Sequence, residues 1–191
     1  MEQTPQIVRA NDSHLDELWL LVQRCRVALD RGGIHQWDDV YPTRQTLDND
    51  IAAGNALVLL DAGVPAAVVV IDEHQDTAYR TVSWSFPEPS LIVHRLCVDP
   101  RFQRRGFAGQ LMDRVEADAH ARQYASIRLD AYSGNPAAVA FYRRRGYREV
   151  GHVEFPRRPL PFLLFERAAI SPPTHPTRYD DRASTGTSSP V

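Results

Sequence analysis

With 191 residues, 43% of them hydrophobic and 24% charged, the chain has the composition of one folded domain with a tail, outside the disordered and membrane-spanning classes. A formal charge of -2 favours neither nucleic acid nor an anionic lipid surface as a partner. Cys25 and Cys97 are the only cysteines, too few for a disulfide framework and too far apart for a metal-ligand pair, so both are expected to be buried thiols and no metal is expected. No stretch approaches the roughly 18 apolar residues of a spanning helix. Met1 to Pro5 carries no cationic leader, so the expected location is the cytoplasm.

In chain order, Gln6 to Arg9 reads as a short strand. Asn11, Asp12 and Ser13 offer N-cap chemistry to a helix whose apolar positions Leu15, Leu18, Trp19, Val22 and Leu29 keep helical spacing as far as Gly32-Gly33. Ile34 to Pro42 is a loop crowded with His35, Trp37, Asp38, Asp39 and Tyr41, and Thr43 caps a shorter helix that stops near Gly54. Ala56 to Leu60 and Val64 to Ile71 form a hairpin about Asp61-Ala62-Gly63. Asp72 to Ser90 is polar and is expected to be a surface loop, with a weak strand tendency over Tyr79 to Phe86. Leu91 to Val98 is a buried strand ended by Asp99-Pro100.

Ala108, Leu111, Met112, Val115 and Ala119 then fall on one helical face. Ile127, Leu129 and Ala131 alternate with Ser126, Arg128 and Asp130, as in a half-buried strand. Asn135-Pro136 opens a short helix closed by Gly146, and Tyr147 to Phe155 and Phe162 to Phe165 are the last strands. From Ala168 onward hydrophobic residues nearly vanish, so residues 1–167 are read as the domain and 168–191 as a disordered tail. This order predicts a mixed α/β fold, one sheet covered by helices.

The segment that carries chemistry is Val98-Asp99-Pro100-Arg101-Phe102-Gln103-Arg104-Arg105-Gly106-Phe107-Ala108, a buried strand leading through a basic loop into a helix. A helix start exposes about four unpaired N–H groups and roughly half a positive charge, which suits phosphate. Gly106 lets the backbone approach an anion, Ala108 keeps the first turn free of bulk, and Arg101, Arg104 and Arg105 add charge. The Gly-Lys-Ser or Gly-Lys-Thr of a Walker loop and the G-x-G-x-x-G of a dinucleotide fold are both missing. A diphosphate site without an evident metal remains, against the plainer reading of a basic surface turn.

The order V-x-P-x-x-Q-R-R-G-F-A, the strand Ile127 to Ala131, then Asn135-Pro136 and Ala140-Phe141-Tyr142-Arg143-Arg144-Arg145-Gly146-Tyr147 resembles the GCN5-related N-acetyltransferase (GNAT) superfamily. The resemblance is specific in Leu96 to Leu111 and Asn135 to Tyr147, and its element order spans roughly Gln6 to Glu166. It implies a mostly antiparallel sheet with a splayed strand pair. It further implies that Gln103, Arg104, Arg105, Gly106, Phe107 and Ala108 hold the diphosphate of acetyl-coenzyme A, the acyl-donor co-substrate. Leu96, Cys97 and Val98 would offer backbone to its pantetheine arm, Asn135 would touch the cofactor, and Tyr142 would stand by the thioester sulfur as general acid.

The implied reaction is transfer of an acetyl group to an amine of a small molecule or peptide, by direct attack in a ternary complex. His94 lies near the place where such enzymes put a base, with Asp38, Asp39 and His35 as weaker candidates. Trp37, Asp38 and Tyr41 lie in the region that would line the acceptor site, where carboxylates beside aromatic faces suit a cationic amine. Packing alone could account for each of these side chains. A regulatory module that binds acyl-coenzyme A without catalysis is the alternative, and thiol release with an amine panel separates the two. Nucleic-acid binding through Arg101, Arg104, Arg105 and Arg143 to Arg145 is disfavoured by the overall charge. Residue pattern does not decide between a monomer and a homodimer.

Overall fold

A computed structural model describes residues 4–169, which form seven strands and four α-helices. The helices are α1 (Leu15–Arg31), α2 (Arg44–Ala52), α3 (Phe107–Ala121) and α4 (Pro136–Arg144). The strands are β1 (Gln6–Arg9), β2 (Ala56–Asp61), β3 (Val64–Asp72), β4 (Ser90–Val98), β5 (Ser126–Tyr132), β6 (Arg148–Val153) and β7 (Phe162–Ala168). They make one sheet in the order β1-β2-β3-β4-β5-β7-β6, in which only the β4–β5 pair is parallel.

Local chemistry sets most element ends. Oδ1 of Asn11 accepts the Ser13 N–H at 3.0 Å ahead of α1, and Oγ1 of Thr43 accepts the Thr46 N–H at 3.0 Å at the start of α2. Helix α3 begins instead at Gly106 with no side-chain cap. A cap contributes about 1 kcal/mol, whereas each fully buried Leu contributes about 1.5–3 kcal/mol. Packing of Leu111, Met112 and Val115, all 0% exposed, therefore holds α3 and leaves its N-terminus free for other work.

Period-two alternation in the strands divides the core between two faces. Leu18, Leu21 and Val22 of α1 and Leu47 and Ile51 of α2 pack on Val58, Val68 and Val70. On the opposite face α3 and α4 cover Leu57, Val69, Leu91, Ile127 and Leu129.

Strands β4 and β5 pair from Ser90↔Ser126 to Val93↔Leu129 and no further, although both continue. Beyond that point β4 stays with β3 and β5 stays with β7. Arg95 lies in the left-handed region at φ 52°, and Arg95 and Leu96 together oppose Val69, a β-bulge that turns β4 away from β5. The sheet thus opens into a fork whose first unpaired neighbours are His94 and Asp130.

Two expectations change. The segment between β3 and β4 holds no strand over Tyr79 to Phe86; it makes a 3-10 turn at Thr77–Thr81 with Tyr79 only 3% exposed. Buried Arg128 of β5 binds this segment through Glu88 and the Phe86 carbonyl, stacks on Trp84, and pairs with buried Glu166 at 3.0 Å. A loop that looked solvated in sequence therefore covers one face of β5. The sheet also keeps Ala168, in register with Ser126, and the Ala169 N–H donates to the Ala125 carbonyl, so the domain runs past 167; the rest of the expected tail lies outside the described residues.

Candidate active site

The turn between β4 and α3 is pinned from beneath. Asp99, fully buried, accepts the Arg101 N–H at 3.0 Å and the guanidinium groups of Arg101 at 2.8 Å and Arg24 at 2.7 Å. Burial opposes ionisation there, but the two arginines hold the carboxyl below its usual range. Arg101 is thus spent on Asp99 and adds no free charge, contrary to the sequence reading. Arg105 meets Asp61 at 2.8 Å with its guanidinium over Phe102, while Arg104, at φ 64°, has no ion-pair partner among the described residues. Phe107 is buried in the core, and the Gln103 side chain lies 3.5 Å from the Val98 carbonyl.

From Gln103 to Ala108 no main-chain N–H donates to a protein acceptor among the described residues. Gly106 sits at φ 79°, and a Cβ there would meet nothing within 4 Å. These amides thus lack protein partners at the N-terminus of a fifteen-residue helix, with open space beside Gly106, which suits an anion on geometric grounds.

Next to it the β4 edge is free on one side. Asp99 donates its N–H to Ala66 at 2.9 Å, so alternation in the antiparallel ladder turns the main-chain groups of Cys97 toward Val68 and the Val98 N–H toward the fork, while the Val98 carbonyl accepts the Cys25 thiol at 3.3 Å. Cys97 is therefore withdrawn from the set expected to offer backbone to a ligand. Its side chain packs with the α1 layer beside Cys25, and that thiol neighbour together with burial pushes it well above the usual range. Cys25 is buried as well.

The fork opens into a cavity of about 500 Å³. Tyr142 reaches it from α4, its ring edge-on to Phe141 and Tyr147 at 5.2 and 5.8 Å, and its hydroxyl bonds to no described residue. Burial, helped by the Asp130 charge, pushes this phenol well up, so it is protonated at neutral pH. Asn135 lines the same cavity, capping α4 through Ala138 N–H at 3.1 Å and donating to Gln36 at 2.9 Å.

On the β4 arm of the fork, Nε2 of His94 lies 2.9 Å from Oδ1 of Asp72. Against its burial, that hydrogen bond holds Asp72 below its usual range, so the carboxylate is acceptor-only and the imidazole proton sits on Nε2. Nδ1 is then the basic nitrogen.

Trp37 and Tyr41 also line the cavity; the Tyr41 hydroxyl accepts from Arg95, whose guanidinium meets Asp50 at 2.6 Å. Asp38 does not reach the fork. Its carboxylate caps the Val40 and Tyr41 amides at 2.9 and 2.8 Å and binds Arg158 at 2.8 Å, a contact that lowers it far below the usual range. It lines a second cavity of about 340 Å³ with Asp39 and His35, outside the fork. The expected cation contact at Asp38 is thus replaced by arginine.

Sequence reading passed over Asp72, Tyr79, Arg95 and Asp130. Asp130 stood on the polar face of an alternating strand, and only the covering loop turns that face into a cavity wall. The Tyr79 hydroxyl donates to its Oδ2.

A sequence model of the acetyltransferase (GNAT) family matches residues 17–147. The chain belongs to this family. A curated relative, the uncharacterized N-acetyltransferase YesJ of Bacillus subtilis (strain 168), is 31% identical over 136 residues, covering 69% of this chain and 74% of its own. The GNAT fold recurs in a GNAT-family acetyltransferase from Streptococcus agalactiae at TM-score 0.75 and 22% identity, covering 88% of this chain and 97% of that one. It recurs again in the PaiA N-acetyltransferase of Thermoplasma acidophilum, solved in complex with coenzyme A, at TM-score 0.65 and 12% identity, covering 87% and 99%. The protein is thus an acetyltransferase with a mixed, mostly antiparallel sheet, and among its described residues no helix is long and apolar enough to cross a membrane.

Proposed function

We propose that this GNAT protein transfers the acetyl group of acetyl-coenzyme A to an amine by direct attack at the fork between β4 and β5. The observation that carries the reading is the run of uncapped amides from Gln103 to Ala108 beside a strand edge that has lost its neighbour. These residues fit the donor: the amides and Arg104 would hold its diphosphate, and the main chain of Val98 and Leu96 would line its pantetheine arm. When bound, the donor supplies a thioester carbonyl activated toward nucleophiles.

The remaining steps belong to the chain's own groups. An alkylammonium of pKa ~10.4 must lose its proton first, which costs roughly 4–5 kcal/mol at neutral pH. Nδ1 of His94 receives that proton, with Asp72 fixing the tautomer and stabilising the imidazolium. As the C–N bond forms, the Val98 N–H faces the oxygen that gains charge. When the C–S bond breaks, the Tyr142 hydroxyl gives its proton to the leaving sulfur, and the second proton shed by the acylated nitrogen restores the phenol. Burial raises the Tyr142 phenol, so it holds its proton until the leaving sulfur gains charge.

Replacing His94→Gln is expected to lower kcat about 10²-fold, with the acetyl-coenzyme A dissociation constant unchanged in calorimetry. The reading as a whole is tested by thiol release over polyamines, amino acids, aminoglycosides and peptide N-termini. Release with at least one amine supports catalysis, and cofactor binding with no release over the whole panel would leave only a regulatory module.

A further inference from the structure

Asp130 is half-buried on the cavity wall, directly across the fork from His94 by register, since the last β4–β5 pair is Val93↔Leu129. Neighbours at equal register in a sheet point to the same face, so the two side chains flank the gap together on the face that carries α1 and α2. Of the other acids near the fork, Asp50 is matched by Arg95 and Asp72 by His94, while Asp76, on the same cavity, caps the Ala78 N–H at 2.8 Å. Asp130 has no arginine or histidine within ion-pair distance among the described residues. Among the described residues only the Tyr79 hydroxyl binds it, on Oδ2, and Oδ1 has no partner there and is not fully buried.

Burial raises the Asp130 carboxyl above its usual range, so its ionised form in this wall is costly until a cation sits beside it. The same cavity is lined by Tyr41, Tyr79, Tyr132, Phe155 and Phe162, and its arginines are matched, Arg95 by Asp50 and Arg157 and Arg158 by Asp38. Carboxylate and ring faces together suit a compact ammonium.

We infer that Asp130 is the anchor for the acceptor's ammonium, and hence that the acceptor class is a cationic alkylamine delivered through the covered face of the sheet, opposite Tyr142. This rests on the acetyl-transfer reading. The amine arrives charged, Asp130 holds it at the fork, and His94 on the other arm takes its proton, so attraction and deprotonation fall to different arms. No bond forms to Asp130.

The test uses the full chain, with n-butylamine and 1,4-diaminobutane as acceptor probes and thiol release as the readout. Asp130→Asn keeps the shape and the hydrogen bond from Tyr79 but removes the charge. Its KM for either amine is expected to rise about tenfold or more, with kcat changed less and acetyl-coenzyme A affinity unchanged in calorimetry. Tyr79→Phe keeps the charge and should leave KM within about twofold; it separates an electrostatic anchor from a merely structural one, which would make both variants behave alike. An unchanged KM in Asp130→Asn, or equal losses in both variants, would overturn the inference while wild-type turnover still upheld acetyl transfer. No thiol release by the wild type with either probe would overturn the cationic-alkylamine class, and failure over the wider amine panel would sink the transfer reading itself.

Discussion

Tyr142→Phe is expected to lower kcat about 10²-fold, the size of a lost general acid, with little change in coenzyme A binding. The ring is held on three sides by Phe141, Tyr147 and Phe165 at centroid distances of 5.2, 5.8 and 6.2 Å. Phenylalanine preserves those contacts. Only the hydroxyl is lost, and it bonds to no described residue, so stability should hardly move. Steady-state kinetics beside a thermal melt separate the cases. If turnover persists with an unchanged melt, the leaving sulfur is protonated by another group and Tyr142 is core packing.

A larger effect is expected on donor affinity from Gly106→Glu, about 10²-fold or more, because like charges facing one another cost several kcal/mol. Gly106→Ala is the matched control. Both variants carry a side chain at φ 79°, which costs about 1–2 kcal/mol, and neither Cβ touches the protein. The folding penalty should therefore be shared, while the excess loss of coenzyme A binding belongs to the carboxylate alone. Equal affinities in the two variants, measured by titration calorimetry, would remove the anion from this helix start.

Most of the fold could be read locally. Caps at Asn11, Thr43 and Asn135, the helical period of α3 and the alternation of β5 are signals within a few residues of each other, and each element formed within a few positions of its expected place. What stayed hidden depends on distant partners. Asp38 meets Arg158 across 120 positions, which turns an apparent cation receptor into an arginine clasp. The bulge that opens the fork rests on a left-handed Arg95, where sequence gave no glycine to betray it. Asp130 looked like a solvated residue because nothing in residues 73–89 announces that this segment folds back over β5. Basic residues were the reverse case. Arg101, Arg104 and Arg105 read as one cluster, yet Asp99 and Asp61 claim two of them and leave Arg104.

The grip of the amides from Gln103 to Ala108 on a diphosphate is tested most directly by comparing coenzyme A with pantetheine, which carries the thiol arm but no phosphate. Charge-assisted hydrogen bonds of about 1.5–3 kcal/mol each predict that coenzyme A binds at least about 10²-fold more tightly in calorimetry. Equal affinities, or no heat with either compound, would contradict the account.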